Sequence, residues 1–358
     1  MHQVSFTQNN QEILFPLIEF KKEELEIVAK GKTNIFNKEC LLSIRYLNHL
    51  QLVLEEQEEK VVFDFSHQMV CQAVEGSFLG VKASLRRQKE RVYEGELSFQ
   101  NGLKLAEAFP QFSKEIFCLS RCKATGIFVF DYTNPSFQGK ICGKTAAFKN
   151  LQEIEFQGEV ECKKSKFLSQ RLDLSSSQGE VVLKQINIDK EEELWCIKVA
   201  ILRGKNIQFQ EGDNCFIFRS CLFTDLYFEW ANPYSLKGKG VVAFVQKSSK
   251  EYSLLDIPLN LLKDVGFDPG LFNPVSGEIG CLLKEGRLYF TQMSRTFSEG
   301  RRSEFFLLEK APLSYIDFKG KMAIFLEIKQ RVLLKMGEPF ILSISGSVEK
   351  PCYEIIPK

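Results

Sequence analysis

The chain has 358 residues, 44% of them hydrophobic, with 47 basic and 46 acidic side chains. That length can bury one large core or several small ones. A net charge of +1 removes the electrostatic case for nucleic acid, whose binders carry a clear basic surplus.

No run of about twenty apolar residues exists to cross a bilayer as a helix. The opening stretch, MHQVSFTQNNQEILFPLIEF, lacks the basic-then-apolar order of a signal peptide. The expectation is a soluble chain, either cytosolic or a portion of a longer anchored protein. Phe is the unusual residue, with 32 copies against 2 Trp and 9 Tyr, which means much apolar surface that prefers to be dry. The eleven cysteines are odd in number and form no CxxC pair, and the only histidines are His2, His49 and His67. This usage argues against a disulfide framework and against a zinc site. Cysteines inside apolar alternations act as small hydrophobes.

In chain order, LEEQEEK (54–60) and LRRQKE (85–90) read as hairpin turns with solvated charges. Asp64 and His67 in VFDFSH have no third partner for chemistry, and a strand is the better account. EGELSF (94–99) then begins a phrase of the form Gly-charged-apolar. It returns as FQGKIC (137–142), FQGEVEC (156–162), SQGEVVL (177–183), LKGKGVV (236–242), VSGEIGC (275–281), FKGKMAI (318–324) and ISGSVEK (344–350). Its glycines are Gly95, Gly139, Gly158, Gly179, Gly238, Gly277, Gly320 and Gly346, mostly separated by near multiples of twenty residues. About twenty residues make two strands and two turns, so the period fits a repeated hairpin. Gly would stand where a strand starts or where close approach forbids a Cβ.

NGLKLAEAFPQF (101–112) and YSLLDIPLNLLKDVGFD (252–268) carry apolar residues at helical spacing and predict one or two short helices. CGKT (142–145) echoes the end of a phosphate loop, but the glycine spacing is wrong and the chain reads as a strand. Asp225 and Glu229 in FTDLYFEW fit paired carboxylates on a helix or outward charges on a strand. Arg301 and Arg302 fit a phosphate headgroup or a solvated turn. No GxSxG elbow, GxGxxG fingerprint or HExxH helix occurs, so no enzyme, cofactor or metal is expected.

Between the glycines the pattern alternates at period two. Phe318, Met322, Ile324, Leu326 and Ile328 share one face with Gly320, while Phe340, Leu342, Ile344 and Val348 oppose three serines. Ile154, Phe156, Val160 and Cys162 face away from Glu153, Glu155, Glu159 and Glu161. One apolar and one charged face is the habit of antiparallel sheets. The predicted fold is therefore all-β, mainly antiparallel: one elongated repeat-like domain over 1–358, with repeated hairpins curling into a trough. A sandwich or barrel would alternate in the same way.

In a trough, Phe318, Met322, Ile324, Leu326, Phe340, Leu342 and Ile344 would line an apolar groove for phospholipid acyl chains. An acyl chain of about sixteen carbons would gain on the order of 10 kcal/mol there. In a sandwich the same residues merely pack on each other, leaving a structural or protein-interaction module.

Residues 272–358 supply a resemblance. They end on Gly346, Val348 and Pro351 in a G-x-apolar-x-x-P phrase, followed by Cys352, Tyr353 and Ile355, and contain Gly-led strand starts at Gly277 and Gly320. LAEAFPQF followed by ATGIFVF (105–130) adds a helix before a Gly-led strand. These phrases resemble the C-terminal region of AsmA-like and TamB-like bacterial envelope proteins. The resemblance implies non-enzymatic lipid transfer on the periplasmic side of the envelope, serving outer-membrane biogenesis with a membrane surface or membrane-anchored partner. The chain departs from that family in length and in lacking its N-terminal anchor.

Overall fold

The structure is a computed structural model and describes residues 4–8, 11–21, 26–35, 38–46, 49–78, 80–100, 119–131, 133–145, 153–191, 194–211, 214–247, 274–332, 335–336, 339–347 and 350–357. The predicted helices over 101–112 and 252–268 lie outside the described residues, as does Val348. Among the described residues the one helical piece is a 3-10 turn, Glu299–Arg301. Everything else regular among the described residues is strand. The chain divides into two units, Met1–Ser165 and Lys166–Lys358.

The first unit is an antiparallel meander of β1 (Val4–Gln8), β2 (Gln11–Lys21), β3 (Glu26–Ile35), β4 (Lys38–Tyr46), β5 (Leu50–Glu56), β6 (Glu59–Phe65), β7 (Cys71–Phe78), β8 (Val81–Lys89), β9 (Val92–Phe99), β10 (Leu119–Val129), β11 (Ser136–Thr145) and β12 (Glu155–Lys163). Each strand pairs with the next. Hairpin connection explains why: a short turn can join antiparallel neighbours, whereas parallel pairing needs a long crossover. Gln57-Glu58 is a tight turn inside the first charged run, while most of the second run, 85–89, is strand and the turn falls at Glu90-Arg91; CGKT lies at the end of β11.

The second unit continues the same scheme with β13 (Lys166–Ser176), β14 (Gly179–Glu191), β15 (Leu194–Glu211), β16 (Asn214–Glu229), β17 (Asn232–Lys247), β18 (Pro274–Lys284) and β19 (Arg287–Ser298). β19 then pairs with two short strands, β20 (Ser303–Leu307) and β21 (Tyr315–Asp317). Both also pair with β22 (Lys321–Val332). β22 meets β23 (Lys335–Met336) and β24 (Phe340–Ser347), and β24 meets β25 (Pro351–Pro357).

Kinks interrupt the longer strands of this unit. Gln185, Asn206, Asp225 and Arg295 sit inside β14, β15, β16 and β19 with φ of 50–56°. Non-glycine residues seldom adopt such angles. Each interrupts the ladder, and bulges of this kind bend and twist a strand. The kink at Asp225 lets Phe223 and Leu226, three residues apart, lie over Gly240 and Gly238 on one face of the sheet. Strict period two fails there for that reason. Asp225 itself points outward and pairs with Lys239 at 3.4 Å, while Glu229 accepts from Tyr227 and Asn232, so the two carboxylates do separate work.

Candidate functional site

In the first unit the register builds one apolar face across nine strands, β4–β12. Val74 pairs with Leu85, Leu85 with Gly95, Gly95 with Gly126, Gly126 with Gly139, and Gly139 with Val160. Two residues along, the row reads Gly76, Ala83, Leu97, Ala124, Ile141, Gly158. On the other side lies an aromatic row in which Tyr93 pairs with Phe128 and Phe128 with Phe137. The Phe128 and Phe137 rings stand 4.7 Å apart.

The three consecutive glycines leave a strip of bare backbone in this face, walled by the aromatic row and by Leu97, Ala124 and Ile141. Glycine is required there. A Cβ on Gly95, whose φ is +154°, would fall 1.9 Å from the Ser84 carbonyl oxygen. A Cβ on Gly139 would fall 2.7 Å from the Cα of Gly126. In-strand glycines are expected where a backbone or a ligand comes close.

The opposite face is charged. Ion pairs cross it between neighbouring strands, Lys60–Glu55 at 3.1 Å, Arg86–Glu75 at 3.8 Å, Lys123–Glu96 at 2.6 Å and Lys140–Glu159 at 3.8 Å, and Arg121 on β10 reaches over β11 to Glu155 on β12 at 3.5 Å. Exposed pairs contribute about 0–1 kcal/mol each. Their weight lies in register, because a one-residue slip would turn every charge onto the apolar side. Val53 and Ser43 are exceptions, buried on the charged face at 1% and 2% exposure.

The apolar face is only partly covered. Leu42, Val61, Leu85, Phe128 and Val160 are buried, whereas Leu97, Ala124, Ile141, Phe156 and Phe137 are half-buried. Burial pushes the Cys122 and Cys162 thiols on this face above their ordinary value, as expected of a poorly hydrated surface. The nine cysteines whose side chains are described are all free thiols.

The residues picked out by the sequence lie in the second unit and are disposed differently. Ile324 pairs with Ile344 and Leu326 with Leu342, and these four are 1–5% exposed. With Phe305 and Ile328 they form one buried cluster, packed by Phe290, Met293, Leu307, Ile316, Met322, Tyr353 and Ile355 from successive strands. Met322 and Phe340 are half-buried.

Phe318 and Gly320 lie outside β22, in the turn before it, and Phe318 is 38% exposed. Asp317 makes that turn by accepting from the backbone N–H groups of Lys319 and Lys321, at 2.9 and 2.8 Å, and Gly320 supplies a φ of +83°. The period-two alternation therefore begins at Lys321.

The other chemistry candidates dissolve into structure. Asp64 meets His49 at 3.3 Å and Gln51 at 2.7 Å, while His67 is exposed in the following turn. Arg301 lies over the Phe297 ring at 5.3 Å, beside Arg302, in the 3-10 turn. Among the described residues no group of three His, Cys, Asp or Glu gathers to hold a metal.

Sequence reasoning missed the glycine strip and the residues around it. The signal was present in the doubled FQG phrase, but only the register places Gly95, Gly126 and Gly139 side by side. Among the described residues no helix is long and apolar enough to cross a membrane. The chain matches no protein-family model, no curated protein and no solved structure.

Proposed function

We propose that the protein is a non-enzymatic carrier of acyl lipid, holding hydrocarbon on the apolar face of its first unit and leaving headgroups in water. One observation carries this reading: a half-covered apolar face runs across nine consecutive strands, with a backbone-floored strip at Gly95, Gly126 and Gly139. At about 4.8 Å per strand that face is roughly 40 Å long. Contiguous apolar patches larger than a few hundred Å² are rare on soluble monomers and mark binding surfaces. Each methylene placed there gains about 0.8 kcal/mol. A bacterial-envelope address, and a role in transfer towards the outer membrane, rest on the resemblance of residues 272–358 alone.

A second reading, a packed structural or interaction module, is favoured by one observation in the other unit. Phe305, Ile328, Leu326, Leu342 and Ile344 are 0–1% exposed, which is the burial of a closed core. In the carrier reading Ile324, Leu326, Leu342 and Ile344 hold the second unit together, and Leu97, Ala124, Ile141 and Phe156 touch lipid.

Native mass spectrometry of protein purified from cells without detergent tests the proposal. Co-purified phospholipid is expected on the wild type and lost from Ile141→Asp, whose circular dichroism stays that of a folded sheet because a half-buried position keeps contact with water. Lipid-free wild-type protein leaves only the packed module.

A further inference from the structure

The second unit carries five exposed large apolar side chains, four of them aromatic, along one end of its hairpins. Leu194 and Trp195 open β15, Trp230 stands in the β16–β17 turn, Tyr234 lies early in β17, and Phe318 stands in the β21–β22 turn. Their exposures are 51%, 38%, 62%, 47% and 38%.

They stand at neighbouring strand ends. The Trp230 amide donates to the Trp195 carbonyl at 2.8 Å. The Tyr234 ring packs against Gly286 in the β18–β19 turn, where a Cβ would lie 2.6 Å from the ring. The Gly286 carbonyl in turn accepts from the Phe318 amide at 2.9 Å. A single exposed hydrophobe needs no explanation, but five gathered at one end of the hairpins do.

Cations stand at this end of the unit, one over a ring of this set (Tyr234) and two over half-buried rings outside it (Tyr227 and Tyr315). Lys237 lies 5.5 Å over Tyr227, Arg287 4.7 Å over Tyr315 and Lys319 5.7 Å over Tyr234. The neighbouring acids are engaged within the fold. Glu285 pairs with Lys284 at 3.2 Å and Glu191 with Lys198 at 2.9 Å. Glu229 accepts from Tyr227 and Asn232, and Asp317 from its own turn.

Trp and Tyr have an apolar body and a polar edge and settle at the headgroup level of bilayers. Lys and Arg stems lie along apolar surface with their charge in the aqueous layer, where anionic lipid attracts them. The geometry points to this end of the second unit as a docking edge that inserts shallowly into an anionic phospholipid surface. The inference rests on the lipid-carrier reading in one respect: a carrier must meet the membrane that loads or unloads it.

Trp195 and Trp230 are the only tryptophans in the chain, so intrinsic tryptophan emission reports on this edge alone. The probes are vesicles of phosphatidylcholine containing phosphatidylglycerol, and of phosphatidylcholine alone, with brominated lipid as quencher. The expected result is a blue shift, quenching by the brominated chains, and co-flotation that is stronger on the anionic vesicles. The exposed pair Trp195→Ser and Trp230→Ser should abolish flotation, and Lys319→Glu should weaken it about tenfold. An unmoved emission, or a double variant that floats like the wild type, overturns the docking edge. A blue shift that appears without vesicles as protein concentration rises assigns the edge to a second copy of the chain and overturns it too. Comparing the two readouts on the wild type separates the two proposals. Flotation kept with bound phospholipid absent from the wild type sinks the carrier alone, and phospholipid kept with flotation absent sinks the docking edge alone.

Discussion

The ring of Phe156 lies across Gly143, its register partner on the neighbouring strand, so closely that a Cβ on the glycine would stand 2.5 Å from the ring. The same contact recurs in the second unit, where the Phe223 ring covers Gly240. An aromatic ring laid over a cross-strand glycine fills the space the missing side chain leaves and pins register. Gly143→Ala forces the ring off and presses on the Arg121 carbonyl oxygen, 2.5 Å from the new atom. The expected cost is about 1–3 kcal/mol. Urea unfolding should show a lower midpoint with an unchanged slope, and an unchanged midpoint would remove the ring-over-glycine contact as a determinant of stability.

Leu326 is 1% exposed at the centre of the second unit's core. Leu326→Ala should cost about 2–5 kcal/mol. Leu326→Asp should unfold the unit, because an unpaired buried charge finds neither water nor a partner. Limited proteolysis within 166–358 measures this. A folded Leu326→Asp protein would mean that the cluster opens to solvent as a groove does.

Burial pushes the Cys281 thiol up to about 11 from an ordinary 9.0, and the neighbouring Cys221 adds to the shift. The folded protein therefore holds this proton where the unfolded chain has released it. The unfolded state binds fewer protons between those values, so stability is fully present below about pH 9 and falls as pH rises towards 11. The loss attributable to this one group is on the order of 2 kcal/mol. Chemical unfolding of wild type and Cys281→Ala across that range checks it, and the variant should lose less stability with rising pH. Parallel curves would contradict it.

Asp317 organises the turn that ends β21 and starts β22 through two backbone hydrogen bonds. Asp317→Ala should lower stability by about 1 kcal/mol. Asp317→Asn, which keeps an acceptor, should recover most of it. Hydrogen exchange at the Lys319 and Lys321 amides would read the change locally, and unchanged protection in the alanine variant would speak against the cap.

Much of the fold was legible in the residues. Glu153, Glu155, Glu159 and Glu161 alternate with Ile154, Phe156, Val160 and Cys162, and in a two-sided strand that alternation allows only one orientation. The structure has it, with Val160 buried and Glu159 meeting Lys140 across the charged face. The tight turn at Gln57-Glu58 was likewise announced by the charge run 54–60, whereas residues 85–89 of the second run belong to β8 and its turn is Glu90-Arg91. What alternation does not carry is depth. Ile141 and Ile324 look alike in their strands, yet one is half-covered and the other is 5% exposed within a closed cluster.

Sequence by itself determined that this protein is built of two-faced antiparallel hairpins, because a period of two with one apolar and one charged face fits such strands, and it left trough, sandwich and barrel open. The tertiary structure alone decided which apolar residues are core and which stay accessible, how three glycines far apart in the chain line up across β9, β10 and β11, and that both tryptophans stand exposed beside each other. The physical reason is that period two fixes which way a side chain points, while what covers it depends on how strands from distant parts of the chain bend around it.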